Sequence, residues 1–269
     1  MYTRHYGFTE APFNITPDPR FLFYAQHHRE AFDHLVYGIE QRKGFIELTG
    51  EVGSGKTTIC RAVLAALSST VKTSLVLNPW LTENQLLRAI LNDFGCPARG
   101  RDRLACLDAL NAFLLDQSRQ GHNVALIIDE AQDLAPSVLE QIRLLSNLET
   151  DRHKLLQIVL CGQPELRQRL AEPALRQLRQ RITVRYRLFP LTEPELKQYI
   201  DHRLRLAGWA GGELFDAEAV RRIYAYSSGI PRLINAVCDV TLLAGYAAGL
   251  RRLDGGCVAR AIEQLEGGA

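Results

Sequence analysis

The sequence predicts an α/β protein, a five-stranded parallel sheet followed by a small all-helical domain. Three observations predict it. Short apolar runs alternate with amphipathic segments up to about residue 190. One run, Val124–Ile128, is apolar throughout and too short for a helix, as a strand buried on both faces requires. Beyond Pro190 the alternation stops and only helical periodicity remains. Strands alternating with helices call for parallel strands joined by right-handed crossovers and covered on both faces.

Taken in order, a Pro- and aromatic-rich opening leads to a helix from near Gln26 to about Gln41. Phe45-Ile46-Glu47-Leu48 is a short strand feeding a glycine-rich turn, and a helix follows over Lys56–Leu67. Thr73–Leu77 reads as the second strand. Thr82 and Gln85 have capping-box spacing, so a helix starts there and runs to about Phe94. A loop over 96–103 precedes a helix over Leu104–Arg119 and the Val124–Ile128 strand. Pro136 opens a helix to Leu148, Leu155–Leu160 is the next buried strand, a helix begins at Pro164, and Ile182–Arg187 is the last strand. Helices are then expected over 192–207, 216–227, 231–249 and 256–265, with Asp216 as an N-cap and Gly229-Ile230-Pro231 as a break. The expected domains are 1–190, α/β, and 191–269, all-helical.

With 269 residues, 46% hydrophobic and 23% charged, the chain is an ordinary globular protein, not a disordered, collagenous or coiled-coil one. Lys+Arg of 32 against Asp+Glu of 30 excludes a chain-wide polyanion trap but leaves room for a local basic patch. The six cysteines show no paired spacing and read as buried free thiols of a reducing compartment. The opening has no apolar signal region, and Leu233–Leu250, interrupted by Asn235 and Asp239, reads as a buried helix and not a membrane span. A cytoplasmic protein is expected. His27, His28 and His34 lack metal spacing and read as helix-surface residues; Trp80 and Trp209 read as packing residues.

The strongest chemical signal is Gly50-Glu51-Val52-Gly53-Ser54-Gly55-Lys56-Thr57, a complete Gly-x-x-x-x-Gly-Lys-Thr match between a strand and a helix. Its glycines let backbone N–H groups wrap a β-phosphate, and the helix N-terminus adds positive potential. Lys56 would reach the β- and γ-phosphates and the Thr57 hydroxyl would ligate Mg²⁺, with Thr58 beside it in the first helical turn. Asp129, following an apolar strand, would hold the metal through its water shell, and Glu130 would orient and polarise the attacking water, which argues for hydrolysis. Gln163, after the next strand, is the candidate contact to the γ-phosphate or the water; a polar turn is the alternative. Asn78, at the tip of the second strand, is the candidate to hold Glu130 in an inactive orientation. Between 167 and 187 lie seven arginines, at 167, 169, 176, 179, 181, 185 and 187. Arg181 is the best placed to act as a finger on transition-state charge, in cis or from a neighbouring subunit. The others read as solvated surface, a subunit interface or a nucleic-acid patch. Arg232, in the first turn of a lid helix, could swing onto the γ-phosphate.

Strand–phosphate loop, strand–Asp-Glu, polar strand tip, arginine and helical lid, in that order, resemble an AAA+ ATPase. The resemblance narrows to the ExeA/GspA family on particular residues: Tyr6-Gly7-Phe8, Pro12-Phe13, Thr16-Pro17-Asp18-Pro19-Arg20, Asp129-Glu130-Ala131-Gln132, Gly162-Gln163-Pro164-Glu165-Leu166, Leu178-Arg179-Gln180-Arg181-Ile182 and Gly229–Asn235. It implies ATP and Mg²⁺ as cofactors. Lys56, Thr57, Asp129 and Glu130 take the Walker roles, Gln163 that of sensor 1, Arg181 the finger and Arg232 sensor 2. The Thr16–Pro19 segment would border the adenine. The resemblance further implies a homo-oligomer, ring or filament, with its ATP site between subunits, assisting secretion or surface-structure assembly. In secretion members a membrane segment and a peptidoglycan-binding region often follow the ATPase, whereas this chain ends at Ala269. Related ATPases of the same core select transposon targets on DNA, which makes an ATP-dependent DNA-binding helper the alternative function.

Overall fold

Each predicted strand forms, and all five pair in parallel in one sheet, in the order β2-β3-β4-β1-β5. The computed structural model describes residues 1–16, 18–97, 100, 102–150 and 153–267. Pro17 of the Thr16–Arg20 segment, Ala98, Arg99 and Arg101 of the 96–103 loop, and Gly268 and Ala269 of the expected lid lie outside the described residues.

In chain order the elements begin with α1 (Tyr2–Tyr6), α2 (Gln26–Glu40), β1 (Phe45–Gly50), α3 (Lys56–Ala66) and β2 (Val71–Val76). There follow α4 (Glu83–Asp93), α5 (Arg103–Arg119), β3 (Asn123–Ile128), α6 (Pro136–Leu145) and β4 (Gln157–Gly162). The chain finishes with α7 (Pro164–Leu170), α8 (Arg176–Arg181), β5 (Ile182–Leu188), α9 (Glu193–Leu206), α10 (Ala217–Ser227), α11 (Pro231–Ala247) and α12 (Gly255–Leu265). These elements gather into two compact units. One holds residues 27–50 and 59–188; the other holds 1–26, 51–58 and 189–269. The opening segment and the phosphate loop thus group with α9–α12.

In the sheet unit the strands β1, β3 and β4 are buried along their whole length. That follows from their position inside the sheet with helices on both faces. β5 is an edge strand and alternates instead: Ile182, Val184 and Leu188 are buried while Thr183, Arg185 and Arg187 face solvent. Charged side chains on such an edge discourage pairing with another chain. β4 starts at Gln157, two residues later than expected. Leu155 and Leu156 are buried in the core, but the ladder opens only where Gln157 meets Ala125. Gln157 is itself fully buried and satisfied: its Oε1 accepts from Gly44 N at 2.8 Å, and its Nε2 donates to Asn123 Oδ1 and Lys154 O. Such a bonded amide aligns three segments at the start of the sheet without the penalty of an orphaned polar group.

The helical unit closes over a core of Leu196, Ile200, Ile223, Ile234, Leu242 and Val258, joined by Tyr6, Phe8 and Phe13 of the opening segment. α11 buries Ile234, Val237, Cys238 and Leu242, as its sequence pattern requires. Among the described residues no helix is long and apolar enough to cross a membrane. The tie between the opening segment and the helices is Arg203, only 6% exposed. Its Nε donates to Pro12 O at 2.6 Å, Nη1 to Tyr199 Oη at 2.9 Å and Nη2 to Asn14 O at 3.1 Å. The guanidinium also lies 4.8 Å from the Phe21 ring centre. Trp209 packs as expected, against Phe8. Trp80 does not: it is 78% exposed. His28, expected on a helix surface, is buried in α2.

Candidate functional site

Two groups of predicted site residues take shape, one in each unit. The first is the glycine-rich loop. Gly53 and Gly55 have φ of 77° and 101°, the left-handed conformations that glycine alone adopts freely, and α3 starts at the next residue, Lys56. Ser54 N donates to Glu51 O at 3.1 Å, which curls the loop on itself. Lys56 is 5% exposed, with Nζ donating to Glu51 O at 3.0 Å, so the ammonium is folded along the loop. Thr57 and Thr58 occupy the first turn of α3, whose N-terminal N–H groups favour an anion. Gly50 ends β1, and Val52 is half-exposed.

Arg232, in the first turn of α11, meets this loop within the same unit. Its backbone N donates to Gly53 O at 3.2 Å. A Cβ on Gly53 would lie 2.4 Å from Arg232 Cβ, so only glycine permits the approach.

The second group stands at the carboxyl edge of the sheet. Register pairs Val76 with Ile128, Ile128 with Leu160, and Thr49 with Gly162, so β2, β3, β4 and β1 end side by side. Asp129, 3% exposed, follows β3 directly and accepts from Glu130 N at its Oδ1, 3.0 Å. Glu130 itself has φ 50° and ψ 39°, a left-handed conformation that is costly for a side-chain-bearing residue. Its Oε2 accepts from Gln132 Nε2 at 2.8 Å and from Gln163 Nε2 at 3.2 Å. Gln132 Oε1 in turn accepts from Gln163 N at 3.0 Å. A Cβ on Gly162 would fall 2.8 Å from that Oε1, so the glycine leaves room for the bridge.

Asn78 lies just past the end of β2, at the strand tip where the sequence reading put it. Its Oδ1 accepts from Trp80 N at 3.0 Å, turning the chain locally, and among the described residues it makes no bond to Glu130. The two glutamines hold the carboxylate instead. Gln132 is the site residue that motif reading missed, although its place two residues after Glu130 was the available signal. Arg181 sits at the end of α8 with its Nη1 donating to Ser146 Oγ, to Asn147 Oδ1 at 2.7 Å and to Arg143 O at 3.4 Å. It thereby satisfies the carboxyl end of α6, a partner set that the sequence did not reveal.

An AAA domain is matched over residues 39–170. In structure the chain is similar to the Aeropyrum pernix ORC2 protein, with a TM-score of 0.71, 19% identity, and 96% of this chain and 72% of that one covered. Cdc6p from Pyrobaculum aerophilum is similar too, with a TM-score of 0.70, 18% identity, and 92% and 70% covered. At such identities the likeness shows the fold. Fold and matched domain together define the class, an AAA-type P-loop ATPase. Within that class the chain is similar to the ExeA/GspA-like proteins. It is 45% identical over 268 residues to General secretion pathway protein A of Aeromonas hydrophila, an alignment covering 99% of this chain. The chain spans 49% of that relative's length.

Proposed function

We propose that the chain is an Mg²⁺-dependent ATPase, cleaving ATP to ADP and phosphate, whose nucleotide state governs self-assembly in a secretion or surface-structure system. The observation that carries this reading is the carboxyl edge of the sheet. Glu130 is held by two neutral amides beside the end of β4, and the phosphate loop departs from the end of β1, the next strand. In the proposed division of labour, 1–190 is the nucleotide-binding domain and 191–269 the lid. Gly50–Gly55, Lys56 and Thr58 bind the phosphates, and Arg232 contacts the γ-phosphate. The donor set suits the metal: the Thr57 hydroxyl and the Asp129 carboxylate are hard oxygen ligands of the kind Mg²⁺ takes. Bound there, Mg²⁺ would supply neutralisation of the charge that develops on the phosphates. Glu130 accepts the proton of the attacking water, and Gln163 keeps that carboxylate aimed. Arg181 is the proposed finger, completing the site of an adjacent subunit in a homo-oligomer, ring or filament. The printed name of the Aeromonas hydrophila relative supports the secretion setting.

The test is ATP hydrolysis against protein concentration, with and without duplex DNA. A rate per subunit that rises with concentration and ignores DNA is expected. A rate that requires DNA would move the protein to the DNA-binding helper class. Lys56→Ala should abolish nucleotide binding, and Glu130→Gln should keep binding while stopping turnover; a fully active Glu130→Gln enzyme refutes the assignment.

A further inference from the structure

The arginines of the 167–187 stretch divide by what they touch. Arg169 donates to Gln132 O, Arg181 caps α6, and Arg185 pairs through Nε with Glu47 at 3.4 Å while its Nη2 donates to Arg179 O at 2.5 Å. Arg167, Arg176 and Arg179 are exposed, and among the described residues no carboxylate lies within hydrogen-bonding reach of their guanidinium groups. These three converge, with Arg185, on two adjoining hollows of the sheet unit. A small cavity of about 110 Å³ is lined by Glu47, Arg167, Leu170, Ala171, Arg179 and Arg185. A wider one of about 360 Å³ is lined by Arg176, Arg179, Gln180, Ile182 and Arg185. Arg179 and Arg185 belong to both, so the two form one continuous basic recess.

We propose that this recess is a second anion site, sharing no residue with the phosphate loop, which takes the phosphoryl groups of a phosphate-bearing ligand. Three features support it. The first is charge: four arginines against the single carboxylate of Glu47 leave an excess of three positive charges (4 − 1). An excess of that size calls for a multiply charged ligand and not a lone carboxylate. The second is geometry. Guanidinium forks match the oxygens of phosphate bidentately, and two adjoining hollows suit two linked phosphoryl groups. The third is preorganisation. Glu47, 3% exposed and opposite Arg185 in the β1–β5 register, fixes Arg185 at the wall between the hollows. Burial pushes the Glu47 carboxyl above its usual range against the pull of Arg185, Arg167 and Arg179.

The probe is inorganic pyrophosphate, titrated calorimetrically at low salt into the full chain and into Lys56→Ala, which removes the phosphate-loop contact and leaves the recess intact. Saturable binding that persists in Lys56→Ala is expected. It should weaken roughly two- to fivefold for each of Arg176→Ala and Arg179→Ala, the range of one exposed charge pair. Glu47→Gln should strengthen it. Circular dichroism shows whether each variant is folded, and the opposite signs expected for the arginine and glutamate variants cannot come from unfolding. Binding abolished by Lys56→Ala, binding indifferent to the arginines, or succinate binding as well as pyrophosphate would each overturn the proposal. A short DNA duplex that displaces pyrophosphate from Lys56→Ala identifies the source as a phosphodiester backbone; failure to displace it identifies a free phosphoryl compound.

Discussion

Arg203→Met tests how the opening segment is held to the helical unit. Methionine keeps the apolar stem buried and removes the fork. Two of its partners, Pro12 O and Tyr199 Oη, are buried, and leaving each short of a donor costs about 1–2 kcal/mol. Tyr199 Oη still donates to Asn235 Oδ1 at 2.8 Å, which keeps its share at the low end. Asn14 is exposed, so water replaces the third bond at little cost. Loss of the cation over Phe21 adds roughly 1 kcal/mol. Against this, the variant no longer desolvates a buried charge, which returns part of the loss. The net expectation is a destabilisation of about 2–3 kcal/mol, or a fall of roughly 5–10 °C in the thermal midpoint. The second readout is local: trypsin should cut the opening segment at Arg20 faster than in the parent protein. Arg203→Lys, which keeps the charge and loses the fork, should recover little. A midpoint within about a degree of the parent, with unchanged cleavage at Arg20, would refute the account of Arg203 as the tie.

Gly53→Ala should lower nucleotide affinity at least about tenfold in a fluorescent-nucleotide assay, because φ of 77° and a Cβ at 2.4 Å from Arg232 Cβ both resist the new methyl. Truncating Arg232 to glycine in the same chain should not restore that affinity, since the backbone strain remains and the proposed γ-phosphate contact is lost as well. Arg181→Ala should destabilise the sheet unit by about 1–2 kcal/mol in urea, as the cap on α6 is lost. Undiminished stability alongside reduced hydrolysis would instead make the side chain a finger alone. Glu47 gives a pH dependence of definite sign. Its folded value is raised above the ordinary 4.5, so its favourable contribution is complete below 4.5 and is lost as pH rises through the raised value. Glu47→Gln should therefore match the parent in urea midpoint near about pH 4 and exceed it near about pH 8; the reverse order would sink the assignment.

The parts of the fold written in short-range chemistry were legible in the sequence. Thr82 and Gln85 form the reciprocal capping box that their spacing implies, and Asp216 caps α10 by accepting from Ala219 N at 2.7 Å. β3 appeared because an apolar run of its length suits a strand buried on both faces, and β5 because buried and solvent-facing residues alternate along it. What escaped was set by distant partners. α8 is a six-residue helix of charged and polar residues around buried Leu178, with too few turns to show a period. Arg203 reads as one more charge on an amphipathic helix; its partners Pro12 and Asn14 lie about 190 residues earlier. The same division runs through the site. Phosphate-loop residues declared themselves because their chemistry is contiguous. Whether Asn78, Gln132 or Gln163 reaches Glu130 depends on how three strand ends are registered, and no local pattern encodes that.

The strained turn at Glu130 gives the strand-end acid its meaning. An unstrained residue after Asp129 would continue the direction of β3, whereas φ of 50° bends the chain into the short helical turn over Ala131–Asp133. That turn brings Gln132 back beside Glu130, so the backbone strain and the amide–carboxylate bond are parts of one arrangement. Gln163 completes it from β4, and Gly162 makes room. Both donors are neutral. An arginine or lysine in either place would also orient the carboxylate, but it would hold it in an ion pair and oppose proton acceptance. Amides fix direction without cancelling charge, which is what the proposed water-polarising role asks of Glu130. The cost of the left-handed residue, roughly 1–2 kcal/mol, is met by packing around Ala131 and Leu134, both buried in the sheet core.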